Sequence, residues 1–198
     1  MQSKGFDLNH IKKMFYKYGV KNLTMDDVAH ELGISKKTLY QQVKTKNDLV
    51  FAVLNDDFEK FKKDVGKMVT STAGAIPRLY ELYRLFQEST KFITPVFVFS
   101  LSKTNPELAS DIRKKYHNFI IDVVSDIMDA GQKDGDFIAA FKEDFPRLVA
   151  GYILQSGTWH LEERGENIEF NSAFYLQIGG ICTEEGKKTL DRFIKKSH

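Results

Sequence analysis

Residues 24–49 read TMDDVAHELGISKKTLYQQVKTKNDL, which has the pattern of two short helices joined at a glycine. Thr24 suits the N-cap of the first helix, and Asp26 and Asp27 place carboxylates in its first turn, where the helix dipole favours negative charge. Apolar residues at i, i+3, i+4 and i+7 predict one buried face: Met25, Val28, Ala29 and Leu32. Gly33 follows at once and can adopt the positive φ of a sharp turn. The spacing therefore predicts a helix-turn-helix.

The second helix of this pair is expected to turn most of its side chains outward. Ser35 can cap its start, and only Leu39 and Val43, four residues apart, look directed toward a core. The outward side chains carry ammonium, hydroxyl and amide groups: Lys36, Lys37, Thr38, Tyr40, Gln41, Gln42 and Lys44. Such groups suit the major groove of DNA, because lysine contacts phosphates and guanine edges, glutamine contacts adenine edges, and the threonine methyl group contacts thymine. An ordinary solvated helix of a small bundle is the weaker interpretation, because the preceding helix, the turn glycine and the cap occur together.

Two segments, residues 33–40 and 43–49, resemble the DNA-binding domain of TetR-type (TetR/AcrR) transcriptional regulators. An upstream helix over residues 7–18 and a fourth helix capped by Thr45 fit the same domain. The resemblance implies a phosphate-contacting set and a groove-facing set, with the cap Ser35 beside them: Thr24, Tyr40, Lys44 and Lys46 in the first, and Lys36, Lys37, Thr38 and Gln41 in the second. Residues 41–43 depart from the aromatic or histidine residues that the family often has there, which leaves the operator sequence open.

Charge is unevenly distributed along the 198 residues. Residues 1–47 contain nine lysines and four acidic residues, a net charge of +5, whereas the whole chain carries +2, which leaves −3 for residues 48–198. A cationic segment attracts a polyanion and makes its affinity fall with salt. A hydrophobic content of 42% is ample for a core. We therefore expect a helix-turn-helix DNA-binding domain over residues 1–48 and a helical effector-binding and dimerisation domain over residues 49–198.

Helical patterns recur along the rest of the chain and strand patterns are almost absent, which predicts an all-α fold. A long fourth helix is expected to end at Gly66. Further helices are expected over residues 77–91 and, as a short element, over residues 96–101. A long helix over residues 106–128 is expected to be closed by Gly131.

Aromatic residues are frequent in the larger predicted domain. The family resemblance implies an effector pocket there, for which we name Phe86, Phe97, Tyr116, Phe119, Tyr152 and Trp159. Aromatic side chains at helical spacing more often pack in a core, and that alternative stays open for each of them. The implied effector is a small apolar or aromatic molecule of unknown identity.

The last third of the chain combines apolar and small residues inside helical patterns. Glycine costs about 0.5–1 kcal/mol against alanine in a helix interior, which indicates close helix packing or room for a ligand. In TetR-type proteins the helices at this place form a dimer interface, which implies a homodimer through Leu148, Gly151, Phe170, Phe174 and Ile178. A dimer would place two recognition helices about 34–36 Å apart, one turn of DNA, where they can read a palindrome.

The expected function is that of a ligand-responsive regulator, a homodimeric repressor that binds a palindromic operator in double-stranded DNA and releases it when an effector binds. Activation of transcription stays open as an alternative. The competing class is a helical small-molecule carrier or scaffold whose helix-turn-helix no longer binds DNA. An enzyme is not expected, because no phosphate loop, nucleophile elbow or zinc-protease motif occurs. Asp122, Asp126 and Asp129 share a helical face, but solvation explains them better than a metal site does, and no cofactor or metal is expected.

The longest apolar run, around residues 92–101, is interrupted by polar residues and a proline, and no apolar segment follows the amino terminus. We therefore expect no membrane span, no signal peptide and a cytoplasmic location. Cys182 is the single cysteine and cannot form an internal disulfide. A buried or interfacial thiol is favoured over a redox role for this residue.

Overall fold

The computed structural model describes residues 7–156 and 170–196, and over these residues the chain is helical, which confirms the all-α prediction. Its β pairing there is an isolated antiparallel bridge between Phe137 and Cys182. Within the same ranges, no helix is both long and apolar enough to cross a membrane. The helices, numbered in chain order, are α1 (Leu8–Tyr18), α2 (Met25–Glu31), α3 (Lys36–Gln42), α4 (Lys46–Ser71), α5 (Ala75–Thr90), α6 (Pro95–Thr104), α7 (Pro106–Lys133), α8 (Asp144–Ser156), α9 (Phe170–Gly179) and α10 (Glu184–Lys196).

Side chain–backbone hydrogen bonds set the starts of the early helices, as the sequence predicts. Thr24 caps α2 and forms a reciprocal capping box with Asp27. Ser35 caps α3 through its hydroxyl group. Thr45 and Asp48 exchange a matching pair of bonds before α4, at 2.9 Å and 3.1 Å. Because each bond spans three residues, the sequence alone could locate these helix starts.

Two predicted helix ends are wrong. α4 continues through Gly66, because this glycine is exposed and costs only about 1 kcal/mol against alanine, while the buried face continues with Met68. α7 likewise continues beyond Gly131. A Cβ atom on Gly131 would lie 2.2 Å from Cδ2 of Phe137, whose ring fills the space of the missing side chain. Glycine therefore permits close packing at this position and does not end the helix.

One compact unit, called unit 1 below, comprises Met1–Phe61 and Ser89–Lys115. It contains α1–α3, α6 and parts of α4 and α7. Its core joins residues from the helix-turn-helix to residues of α6: Ile11, Phe15, Val28, Leu39, Leu49, Phe97 and Leu101. The ring of Phe97 packs edge-on against Tyr16, with centroids 4.6 Å apart. Residues distant in the sequence therefore complete the core around the helix-turn-helix.

Hydrogen bonds join α6 and the residue before it to the end of α1 and to the turn after α1. The hydroxyl of Thr94 donates to the carbonyl oxygen of Tyr16, and the backbone N–H of Lys21 donates to Ser100 Oγ at 2.7 Å. Gly19 has φ 79°, and a Cβ atom on it would lie 3.1 Å from that of Ser100. The end of α1 is therefore held by hydrogen bonds and by close packing at the same place.

The second unit, unit 2, comprises Lys62–Glu88 and Tyr116–His198. Phe174 of α9 is buried and packs edge-on against Tyr80 and Tyr83 of α5, with centroids 5.2 Å and 5.6 Å apart. The hydroxyl of Tyr83 donates to Gln177 Oε1 at 2.7 Å. Aromatic packing and this partly buried hydrogen bond together join α9 to α5.

The turn after α7 holds the start of α10. The backbone N–H of Thr183 donates to the carbonyl oxygen of Asp136 at 2.9 Å, and its hydroxyl donates to that of Gly135 at 2.6 Å. Gly186, in the first turn of α10, lies close to the backbone of Asp136. A Cβ atom on Gly186 would be 1.9 Å from the carbonyl oxygen of Asp136. Cys182 is buried beside this turn, and burial raises the pKa of its thiol to about 11.

Candidate nucleic-acid interface

The direction of α3 is set at both ends of α2. Gly33 has φ 64°, and its N–H and the next one donate to carbonyl oxygens near the end of α2, both at 3.0 Å. No atom lies within 4 Å of where its Cβ would be, which means that conformation, not packing, requires glycine there. At the other end, the backbone N–H and hydroxyl of Thr24 donate to Asp27 and lower the pKa of that carboxyl group. The capping box therefore fixes the start of α2, and Gly33 turns the chain from α2 into α3.

α3 anchors itself in the core through one residue and presents most of the others to solvent. Leu39 is fully buried, whereas Tyr40 is 43% exposed. The exposed members of the predicted DNA-binding set on and just after this helix are Lys36, Lys37, Tyr40, Gln41 and Lys44. Thr38 is half-buried, and its hydroxyl shares a 2.7 Å hydrogen bond with that of Ser35. The structure thus brings these predicted contacts together around one helix.

Lys46 is held inside unit 1. Its ammonium donates to the carbonyl oxygens of Val20 and Leu23 at 3.0 Å and 2.9 Å. These carbonyls belong to the segment between α1 and α2, more than twenty residues earlier in the chain. The side chain is half-buried, and two of its three donors are engaged. Lys46 therefore links the start of α4 to the segment that precedes α2, a role that the sequence did not indicate.

The three lysines nearest the recognition surface differ in their partners. Lys36 forms an ion pair with Asp26 of α2, its Nζ lying 2.7 Å from Oδ1 and 3.0 Å from Oδ2. Lys37 and Lys44 form no ion pair with any residue in the described ranges. The ammonium groups of Lys37 and Lys44 are therefore available to DNA without first leaving a carboxylate.

α1 is braced against its neighbours by polar contacts that no sequence spacing indicated. The carboxylate of Asp57 on α4 accepts hydrogen bonds from Lys12 and Tyr16, which are four residues apart on α1. His10 of α1 lies 3.2 Å from Glu31 of α2. The i, i+4 spacing of a lysine and a tyrosine could have suggested a shared acceptor, but nothing in the chain identifies a partner more than forty residues away.

The residues predicted for an effector pocket fall into three groups. Phe86 and Tyr116 of unit 2 meet edge to face with centroids 6.0 Å apart, and Phe119 is half-buried one turn after Tyr116. Tyr152 is 38% exposed, with its ring 6.0 Å from that of Tyr83. Phe97 lies in the core of unit 1, and Trp159 lies outside the described residues. Phe86 and Tyr116, two of the predicted residues, therefore share a ring contact.

The residues predicted for a dimer interface divide by exposure. Leu148 is 61% exposed, and Gly151 on the next turn of α8 is also at the surface. Phe174 and Ile178 of α9 are 1% and 0% exposed and pack inside unit 2. The side chain of Phe170 lies outside the described ones.

Two exposed apolar residues of α9 were missed by the sequence analysis. Leu176 is 75% exposed and Tyr175 is 40% exposed. They follow the buried Phe174 directly, and a helix cannot turn three successive side chains toward one core. With Phe174 in the core, helix geometry alone therefore requires at least one of Tyr175 and Leu176 to lie at the surface.

Two of the three aspartates that the sequence places on one face of α7 are exposed, and the third is partly buried in an ion pair. Asp122 and Asp126 are exposed, and Asp129 Oδ1 lies 2.8 Å from the ammonium of Lys142. In the ranges that the structure describes, no three potential metal-ligating side chains come together.

Residues 8–53 match the model of the bacterial regulatory proteins of the TetR family. This match covers α1–α3 and the start of α4. An HTH-type transcriptional regulator of Staphylococcus aureus (strain bovine RF122 / ET3-1) is 45% identical over 168 residues, which are 84% of this chain and 86% of that protein.

Solved structures share the fold at lower sequence identity. A TetR transcription regulator from Haloarcula marismortui ATCC 43049 has a TM-score of 0.71 at 19% identity, over 89% of this chain and 96% of that one. AibR, solved in complex with isovaleryl coenzyme A and operator DNA, has a TM-score of 0.59 at 17% identity, over 88% and 95% of the two chains. At these identities the similarity concerns the fold.

Proposed function

Because this chain belongs to the TetR family of DNA-binding transcriptional regulators, a family of regulators and not of enzymes, we propose that it is a homodimeric, ligand-responsive repressor of a palindromic operator. The observation that carries the proposal is α3, which is anchored by the fully buried Leu39 and presents lysine, tyrosine and glutamine side chains to solvent. A helix of this kind fits the major groove of DNA. A repressor acts on the chromosome, which places its action in the cytoplasm.

The proposed contacts divide into those that position the protein and those that read bases. Lys44 and Tyr40 contact phosphates, because both are exposed and Lys44 has no competing ion pair among the described residues. Gln41 and Lys37 face the groove, where glutamine pairs with adenine and lysine with guanine. Phosphate contacts give affinity that is independent of sequence and sensitive to salt. The base contacts of Gln41 and Lys37 then supply the preference for one operator.

The proposed dimer surface lies on α8 and α9. It exposes the apolar side chains of Leu148, Tyr152, Tyr175 and Leu176, which are 61%, 38%, 40% and 75% exposed in the single chain. No atom lies within 4 Å of a Cβ built on Gly151, and a second chain could approach the α8 backbone closely there. Burial of these side chains against a second copy would supply the association energy that a two-fold symmetric operator requires.

The proposed effector, a small apolar or aromatic molecule, binds in unit 2 beside the ring pair of Phe86 and Tyr116. The complex of AibR with isovaleryl coenzyme A and operator DNA supports the existence of an effector, because a protein of the same fold was solved with both a ligand and DNA. To release the operator, the effector must bind the released conformation more tightly than the DNA-bound one. A shift from 1:99 to 99:1 between the two requires about 5.5 kcal/mol of differential binding.

Selection from a random pool of DNA duplexes at near-physiological salt tests the proposal. The parent protein is compared with a Tyr40→Ala, Lys44→Ala double variant, which removes two proposed phosphate contacts without changing the buried Leu39. We expect the parent alone to enrich a motif with two-fold symmetry. An unsymmetrical motif would refute the dimer, and enrichment of no motif, with or without small-molecule extracts, would favour a carrier whose helix-turn-helix no longer binds DNA.

A further inference from the structure

The Lys36 ammonium is paired with a carboxylate on the neighbouring helix. Asp26, in the first turn of α2, places its two oxygens 2.7 Å and 3.0 Å from Lys36 Nζ. The side chain of Asp26 is 64% exposed and that of Lys36 is 57% exposed, so the pair lies at the surface beside α3. The hydrogen bond from Lys36 to Asp26, with the attraction between their charges, raises the pKa of the lysine, which therefore stays protonated.

The pair has two consequences for an approaching duplex. An ammonium group has three donors, and the two oxygens of one carboxylate lie too close together to accept from two different N–H bonds, which leaves the other donors free to point away from Asp26. A phosphate that binds Lys36 fully must displace the carboxylate and leave a negative charge beside the DNA backbone. A guanine edge can instead accept a hydrogen bond from one of the free donors while the ion pair stays intact.

We propose that Asp26 is a specificity-determining residue, which withholds Lys36 from phosphates in general and orients it toward a base edge in the operator. The proposal rests on the proposed DNA binding by α3. Non-specific binding depends almost wholly on the number of phosphates that cations neutralise. A lysine that is already neutralised by Asp26 adds little to that number. In the operator complex the same carboxylate fixes the Lys36 side chain, which reduces the entropy lost on binding.

The test compares the DNA affinity of the Asp26→Asn variant with that of Glu31→Gln, which serves as a matched control. Both changes remove one negative charge from α2 and keep the side-chain size, but Glu31 pairs with His10 and not with Lys36. Each change is also made in a Lys36→Gln background. Fluorescence anisotropy gives the affinity of every protein for the selected operator and for a scrambled duplex of the same length and composition, across a series of salt concentrations.

For Asp26→Asn we expect affinity for the scrambled duplex to rise about two- to fivefold, the range of an exposed ion pair. The dependence of log K on log salt should steepen by about 0.9 for that duplex, because one more phosphate is neutralised. Operator affinity should change less, and the ratio of operator to scrambled affinity should fall. Glu31→Gln should leave this ratio unchanged, and the Lys36→Gln background should abolish the effect of Asp26→Asn.

Four results would overturn the proposal. Equal gains on both duplexes, matched by Glu31→Gln, would mean that Asp26 acts only through net charge. An effect of Asp26→Asn that persists in the Lys36→Gln background would show that it does not act through this lysine. If the parent binds the operator selectively and Asp26→Asn leaves the ratio of operator to scrambled affinity unchanged, this inference alone is refuted. If the parent itself does not distinguish the two duplexes, both this inference and the proposed function are refuted. Thermal melting of each variant checks that α2 remains folded.

Discussion

Replacement of Lys46 by methionine separates a structural role from a DNA contact. The ammonium of Lys46 donates to the carbonyls of Val20 and Leu23 at 3.0 Å and 2.9 Å, and methionine keeps the length of the side chain without the donors. Hydrogen bonds from a charged donor contribute about 1.5–3 kcal/mol each. Because Lys46 is only half-buried, water can replace part of this, and we expect a loss of about 2 kcal/mol in the free energy of unfolding. For a protein of this size that corresponds to a fall of about 4–8 °C in Tm.

The assay is thermal and urea unfolding followed by circular dichroism, with Lys44→Met as the matched control. Lys44 is exposed and pairs with no carboxylate in the described ranges, and its replacement should change the free energy of unfolding by less than about 0.5 kcal/mol. On DNA, Lys44→Met should reduce the salt slope by about one. If Lys46→Met melted like the parent while lowering that slope by about one, Lys46 would be a phosphate contact and the structural reasoning would be refuted.

Three further predictions concern unit 2 and the glycines. Gly186→Ala should lower the free energy of unfolding by at least about 2 kcal/mol, because its Cβ would meet a backbone oxygen at 1.9 Å. Gly66→Ala, in open space, should raise the free energy of unfolding by about 0.5–1 kcal/mol, and Tm shifts of the same sign in the two variants would contradict this. Cys182 has a pKa of about 11, and at pH 8 it should react with iodoacetamide at least about 100-fold more slowly in the folded protein than in urea. The reaction of the folded protein should become faster as the pH approaches 11, and equal rates in folded and unfolded protein would disprove the burial of Cys182. In sedimentation velocity, Leu176→Asp should convert the proposed dimer to a monomer, whereas the control Phe99→Asp, at another exposed apolar residue on α6, should leave it a dimer. If both variants remained dimers, the interface would lie elsewhere.

The helix-turn-helix could be predicted from the sequence because its determinants are local. Thr24, Ser35 and Thr45 each bond to a backbone N–H within three residues, and Gly33 adopts its positive φ within one turn. The burial of Leu39 follows from a repeat that can be read along one helix. A short window of sequence therefore contains the caps and the turn that shape this motif, although residues of α6 complete its core.

The partners of the site lysines could not be predicted, because they depend on how separate helices pack. Lys36 and Lys46 look alike in the sequence, yet one meets a carboxylate and the other two carbonyl oxygens. The same reason explains why Gly131 was misjudged. At Gly131 the neighbour that requires glycine is the ring of Phe137, which reaches it only when the chain folds back after α7.

The attachment of α6 to α1 has a consequence for how regulators of this kind can be recombined. Thr94 and Ser100 bond to the end of α1 and to the turn after it, although they lie well beyond the helix-turn-helix in the sequence. A chimera that exchanges only residues 1–61 between two regulators would set the α6 of one parent against the α1 of the other. A functional exchange must carry residues 89–115 with them, and the portable module is therefore two separate pieces of one gene.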